Sequence, residues 1–360
     1  MIMGNKRKIL SEVSFITTVY NEEKNIIEFL KSLINQTALP GEIIIVDGGS
    51  KDHTFDSTLS FFKEELSRER SDFNIVLSDD AAKKKIRSNN KNNKSVISVN
   101  IIKKSGANIS QGRNIAIKSA AGRIICVSDA GCVMDKNWLE KITESYIDTS
   151  CNIVGGLSLP LCRSFLQKCL AVCIMPLEEE INREKYMPSS RNISFKKKIW
   201  VDAGGYPEDM DYGEDMKFDF NIKAAGYTIR FNSDAMVYWK MRENPVQISK
   251  QFFRYAKGDA RGGMYLHRHL IRFFSFMVLL AILVCSFFLS NWILLMLIPL
   301  FIAYIYKPYS RLIKAWRGKT NYRFNANEKV LSVFTFIIPL LLIQIDFSKL
   351  CGYVYGLLKK

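Results

Sequence analysis

Two carboxylates in this chain stand where a short β-branched run stops. Asp47 closes the run Glu42–Val46 (EIIIV) and is followed by Gly48-Gly49-Ser50, while Asp129 follows IICVS and is followed by Ala130-Gly131. In an open α/β sheet, ligands bind outside the carboxyl ends of the strands, so a carboxylate placed there can engage one. The same residue type also serves simply to turn a chain. The neighbours favour a ligand. Arg113 stands in the helical run before Asp129, where it can reach a phosphate, and small residues leave room beside both carboxylates. Two further acidic spots read either way. Asn21-Glu22 ends another apolar run, with Asn21 suited to an N-cap and Glu22 to a first turn. Glu214-Asp215, after Gly213, are first-turn acids that spacing alone does not make catalytic.

Such side chains need strands and helices to hold them. Val13–Val19 reads as a buried strand, followed by a helix with Ile26, Leu30, Leu33 and Ile34 on one face. Glu42–Val46 is a second strand, Asp52 and Thr54 begin a helix, and Asn74–Leu77 is a third strand. Asn108–Ala120 is an amphipathic helix broken at Ala121-Gly122, and it leads into the strand Ile124–Val127. Beyond Leu139 the pattern predicts a helix to Ile147, a strand over Ile153–Leu159 and helix over Arg163–Lys185. A further helix, headed by Gly213, turns Phe218, Ile222 and Ala225 inward. Strands alternating with helices through short links imply an α/β fold with mostly parallel strands and right-handed crossovers.

The net charge of +16 invites a nucleic-acid reading, but its distribution argues against one. Residues 81–104 hold eight Lys/Arg and no acid, and residues 307–329 hold seven with one acid, so two local segments supply 14 of the 16 charges. Residues 81–95, Asn- and Lys-rich, read as a basic surface insertion, or as a patch for anionic headgroups. The eight cysteines include no CxxC pair and read as reduced, small hydrophobes. The N-terminus lacks the apolar stretch of a signal peptide.

Charge-free apolar runs fill the C-terminal part. Phe273–Leu289 and Trp292–Tyr306 are separated by Ser290-Asn291, and as one helix they would extend about 51 Å, well past a hydrocarbon core of about 30 Å. Two spans joined by a turn fit better, and Val330–Ile345 makes a third. The basic, aromatic stretch before the third span suits a cytoplasmic loop, which places the N-terminal domain in the cytoplasm as well.

Seven motifs occur in order: VSFITTVYNEE, EIIIVDGGSKDHT, GANISQGRNIAI, SDAG, GGYPE, GED and QFFRYAKGDARGG. Together they resemble a family-2 glycosyltransferase of GT-A (Rossmann-like) fold over about residues 11–265, followed by transmembrane helices. The resemblance implies a catalytic domain at 1–265 and a membrane region at 266–360. It implies that Val19, Tyr20, Asn21, Glu22 and Asp47 hold the base and ribose of a UDP- or GDP-sugar. Arg113 would meet nucleotide or diphosphate, and Asp129 would match the first Asp of a DxD motif. Asp215 would be the general base, with Glu214 beside it. Ser189, Ser190 and Arg191 would line the sugar and acceptor side, while Gln251, Arg254 and Tyr255 resemble a QxxRW-like motif bordering acceptor and diphosphate.

The resemblance also implies an integral membrane enzyme of glycan or polysaccharide biosynthesis. It would move one sugar, with inversion, to a lipid-linked or glycan acceptor, and would use no nucleic acid. Two positions depart from the pattern. Gly131 replaces the second Asp of DxD, and Tyr238-Trp239 stand where some relatives carry a His. A divalent cation (Mg or Mn) is still expected, leaning on Asp129, diphosphate oxygens and water. The alternatives are a processive polysaccharide synthase and a non-catalytic membrane scaffold on a decayed transferase fold.

Overall fold

The computed structural model describes residues 7–67, 73–79, 84–87, 95–320, 322 and 331–359. In chain order the elements are β1 (Lys8–Val19), α1 (Glu23–Ile34), β2 (Ala38–Asp47), α2 (Thr54–Ser67), β3 (Phe73–Asp79), β4 (Lys84–Arg87) and β5 (Ser95–Lys103). They continue with α3 (Ile109–Ser119), β6 (Ile124–Val127), β7 (Cys132–Met134), α4 (Trp138–Thr143), β8 (Ile153–Leu161), α5 (Phe165–Ile174), β9 (Ile193–Lys196), α6 (Lys197–Asp202), α7 (Glu214–Ala224) and β10 (Arg230–Lys240). The chain ends with α8 (Pro245–Gly262), α9 (Leu266–Phe288), α10 (Leu297–Trp316) and α11 (Leu331–Leu358). It divides into two compact units, Met1–Ser158 with Asn182–Trp239, and Leu159–Ile181 with Lys240–Lys360.

The sheet runs β4-β3-β5-β2-β1-β6-β9-β8-β10-β7. Strands β3, β5, β2, β1 and β6 pair in parallel, as the strand–helix alternation predicts. Beyond β6 the pairings of β9 with β6 and β8, and of β10 with β7, are antiparallel. Strands β1, β2 and β6 are buried on both faces over their central residues, so their alternate residues feed two cores. Phe15, Ile43, Ile45 and Cys126 pack with Phe29, Leu30, Phe62 and Trp138 on one side. Ile16, Ile44, Val46, Ile125 and Val127 pack with Ile117, Ile199, Phe218 and Ile222 on the other. The chain moves outward from β1 through β2 to β5, then returns to β6 on β1's other side. The carboxyl ends of β1 and β6 therefore flank a topological switch point, where a ligand crevice is expected.

Local expectations hold with three exceptions, one being Ala225, expected inward but exposed at the C-cap of α7. The run Asn108–Ala120 forms α3, capped reciprocally: Asn108 Oδ1 accepts from Gln111 N (2.9 Å), and Gln111 Oε1 accepts from Asn108 N (3.0 Å). By contrast, Arg163–Lys185 is not one helix. α5 ends at Ile174, because Pro176 lacks an N–H and biases Met175 to extended backbone (φ −89°, ψ 123°). Asn21 is not an N-cap either. It adopts φ +54°, accepts from Lys51 N through its side chain (2.8 Å) and leaves Glu22 to start α1. Most of the basic insertion 81–95 lies outside the described residues; of the described part, Lys84–Arg87 pairs antiparallel with β3 and Ser95 opens β5.

In the second unit three helices are long and apolar enough to cross a membrane, over Leu266–Phe288, Asn291–Trp316 and Phe336–Leu358. Their exposed large hydrophobics include Phe274, Leu280, Phe287, Trp292 and Phe301, as lipid-facing helices require. α11 packs against α8 through Gly352 and Gly356, four residues apart. A Cβ at Gly352 would collide with the backbone of Phe253, and one at Gly356 would come within 2.8 Å of Ala260 Cβ. Small residues at this spacing let two helix backbones approach closely. Their length and apolar composition suggest membrane association.

Candidate active site

The carboxyl end of β2 builds the first part of the site. Asp47 is fully buried, and its Oδ1 accepts from Gly49 N and Ser50 N, both at 2.7 Å. Gly49, at φ +93°, makes this turn possible. Asp47 Oδ2 has no hydrogen-bond partner among the described residues. A buried carboxylate oxygen left this way is costly unless something donates to it, so it is poised for an incoming N–H or O–H. Around it, Gly48 N donates to Val19 O (3.0 Å), Asn21 N to Ser50 Oγ (3.0 Å) and Glu22 N to Thr54 Oγ1 (2.7 Å). The loop Val19–Glu22 and the turn after Asp47 are thus one structure, with Tyr20 exposed above it.

Arg113 organises the second part. It is 1% exposed, with Nη1 donating to Glu214 Oε1 (2.7 Å) and Nη2 to Asp129 Oδ1 (2.9 Å). Both of its terminal nitrogens are engaged by carboxylates. Burial disfavours its charge, but Asp129 and Glu214 outweigh burial and raise its pKa above the usual range. Its guanidinium also lies 5.2 Å from the ring centroid of Tyr206, which stacks on Phe218. Tyr206 is placed by Asn114, whose Oδ1 accepts from Tyr206 N (3.0 Å) and Trp200 Nε1 (2.8 Å).

α7 brings the acids. Gly213, in left-handed backbone, precedes Glu214 and Asp215. Burial pushes the Glu214 carboxyl up to about 7, with Asp215 adding to the effect and Arg113 opposing it. Asp215 is half-buried, and Ser189 Oγ donates to its Oδ2 (2.8 Å). One turn further, Asp219 is 1% exposed, and its Oδ2 has no partner among the described residues. Burial, then Asp215, hold the Asp219 carboxyl well above the usual carboxylate range. Ser190 Oγ and Tyr206 OH share a hydrogen bond (2.8 Å), and the Arg191 guanidinium lies 3.8 Å over the Trp239 ring.

Arg113, Asp129, Glu214, Asp215, Ser189, Ser190 and Arg191 therefore come together around one loop and one helix start. Gln251, Arg254 and Tyr255 lie on α8 in the second unit, where Gln251 Oε1 accepts from Arg242 Nε (3.1 Å) and Nε2 donates to Tyr255 OH (2.9 Å). Tyr206, Asn114 and Asp219 were missed as site residues. Two of them lay inside quoted motifs, GGYPE and GRN, and Asp219 shows in sequence only as a second acid four residues after Asp215.

Among the described residues, the donor set does not by itself make a protein-held metal centre. Asp129 offers one uncommitted oxygen, Gly131 offers none, and the described residues contain no group of three His, Cys, Asp or Glu side chains able to hold an ion.

Residues 14–66 and 54–159 match the family model "Glycosyl transferase family 2", and residues 174–342 match "Glycosyl transferase family group 2". Glycosyltransferase AglE of Haloferax volcanii is 24% identical over 268 residues, covering 73% of this chain and 78% of its own. Among solved structures, mannosyltransferase PcManGT from Pyrobaculum calidifontis, in complex with GDP-Man and Mn2+, has 16% identity and a TM-score of 0.49. That match covers 94% of this chain and 87% of PcManGT. S. aureus TarS has 19% identity and a TM-score of 0.42, covering 68% of this chain, and this chain spans 39% of TarS. Two adjoining matches to one family, over a sheet whose open edge carries carboxylates at a switch point, lead to one conclusion: the chain belongs to glycosyltransferase family 2, enzymes that transfer a sugar from a nucleotide-sugar.

Proposed function

We propose that this chain is a membrane-anchored, inverting glycosyltransferase of glycan or polysaccharide biosynthesis. Its catalytic domain faces the cytoplasm and passes one sugar from a UDP- or GDP-sugar to a lipid-linked acceptor. The observation that carries this reading is Asp215: a half-buried carboxylate, oriented by Ser189, at the head of a helix whose neighbouring acid is tied to Arg113.

The acceptor hydroxyl attacks the anomeric carbon as the bond from that carbon to the diphosphate oxygen breaks. Asp215 takes the hydroxyl proton, a role that contributes about 10²–10⁴-fold. One such base acting on the acceptor gives a single displacement and inverted configuration. Asp47 Oδ2 accepts from the base or ribose, and Arg113 keeps Asp129 and Glu214 in place. The apolar helices keep the domain beside a lipid-borne acceptor.

The test is purified chain in detergent with a panel of UDP- and GDP-sugars and a polyprenyl phosphate. Release of nucleoside diphosphate and a single-sugar product of inverted anomeric configuration are expected. A ladder of repeating sugars would indicate a processive synthase instead, and absence of both donor binding and turnover would overturn the assignment.

A further inference from the structure

The leaving diphosphate gathers negative charge during transfer, and the site's buried cation, Arg113, is already held by two carboxylates. A second cation, Arg191, is linked to the same turn through Trp239. Trp239 pairs with Cys132 across β10 and β7, and Cys132 N donates to Asp129 O (2.9 Å), closing the turn that carries Asp129 and Gly131. The Arg191 guanidinium lies over the Trp239 ring at 3.8 Å. A Cβ at Gly131 would meet no atom within 4 Å, so the place of a second carboxylate is open space.

The loop that presents Arg191 is rigid. Asn192 N donates to Ser189 O (2.9 Å), and Asn192 Nδ2 donates to Leu157 O (3.0 Å) and Ala235 O (2.9 Å). Asn192 Oδ1 accepts from Trp138 Nε1 (2.8 Å). At its other end the same loop holds Asp215 through Ser189. Ser189, which holds the base, and Arg191 are thus two residues apart on one loop.

We propose that Arg191, held on Trp239, supplies the positive charge for the donor's diphosphate, and that nucleoside diphosphate binds this chain without a divalent cation. Guanidinium suits the task, because its planar fork binds phosphate oxygens in pairs while its face stacks on an indole. Stacking also restricts the side chain before the ligand arrives, which reduces the ordering cost of binding. The inference rests on the reading of the donor as a nucleoside-diphosphate sugar.

Titration calorimetry of the full chain in detergent, with GDP, UDP, guanosine and uridine, tests it. Each ligand is measured in EDTA and in Mn2+, for the native chain and for Arg191→Gln, Arg191→Lys and Trp239→Leu. The native chain should bind its diphosphate with the same affinity, within about twofold, in both conditions. Arg191→Gln should weaken the diphosphate about 10–100-fold, the range for hydrogen bonds to charged groups, and leave nucleoside binding unchanged. Arg191→Lys and Trp239→Leu should fall between. Loss of native diphosphate binding in EDTA overturns the proposal, whatever the variants do. So does an Arg191→Gln variant that binds diphosphate normally, or that loses nucleoside and diphosphate equally, since that marks a structural role alone. If the native chain binds neither nucleotide in either condition, the donor reading itself fails, and the inference with it.

Discussion

Asp47 and Asp129 sit at the same edge of one sheet, yet their charges are answered in different ways. Asp47 receives two backbone N–H groups on one oxygen and, among the described residues, nothing on the other. Asp129 receives a guanidinium whose second arm holds Glu214. Backbone donors come with the turn itself and leave the carboxylate free to read a ligand. A buried arginine must be brought from another element, and it ties three elements together: α3, the turn after β6 and the start of α7. The first arrangement suits recognition, and the second suits a rigid frame around a reacting centre.

Four substitutions test this contrast. The largest effect is expected at the proposed base. Asp215→Asn should lower turnover about 10²–10⁴-fold with donor affinity unchanged, since Asn fills the same space but cannot take a proton. Near-normal turnover in a steady-state assay would remove Asp215 from the chemistry and point to Glu214. Next is Arg113→Met, which leaves the buried Glu214 and the half-buried Asp129 without their cation. Thermal or denaturant unfolding should show a loss of about 3–5 kcal/mol, and an unchanged stability would mean that Arg113 frames nothing. Asp47→Asn should act on binding instead, weakening nucleotide affinity about 10–100-fold by calorimetry while the fold persists. If it unfolds the chain and spares affinity, the division between the two carboxylates is wrong.

The smallest effect is expected from Glu214→Gln below neutral pH, where the carboxyl already holds its proton. Its folded pKa, about 7, lies above its ordinary 4.5. Between these values the unfolded chain loses the proton and the folded chain keeps it. Stability therefore falls as pH rises through this window and stays lower above it. Glu214→Gln should flatten that slope in unfolding measured from pH 5 to 8, and an unaltered slope would assign it to another group.

Much of this architecture is written in local patterns. Val13–Val19, Glu42–Val46 and Ile124–Val127 read as strands because both their faces are buried, and a run of β-branched residues needs no distant partner to be seen. The Asn108–Gln111 cap and the apolar helices are legible for the same reason, since periodicity and capping act within a few residues. Pro176 was visible too, and it rather than the apolar pattern decided where α5 stops.

The electrostatics of the site were not legible, because they join residues far apart in the chain. Arg113 reads in sequence as a phosphate ligand; only folding reveals Glu214, 101 residues away, on its other arm. Asn21 reads as a cap until Ser50 and Lys51 arrive to hold it in left-handed backbone. Asp219 looks like any helical acid, and Trp239 like a replaced histidine, until burial isolates one and Arg191 covers the other. Local sequence determined which elements form. The burial of charge, which depends on everything packed around it, was decided by the tertiary structure alone.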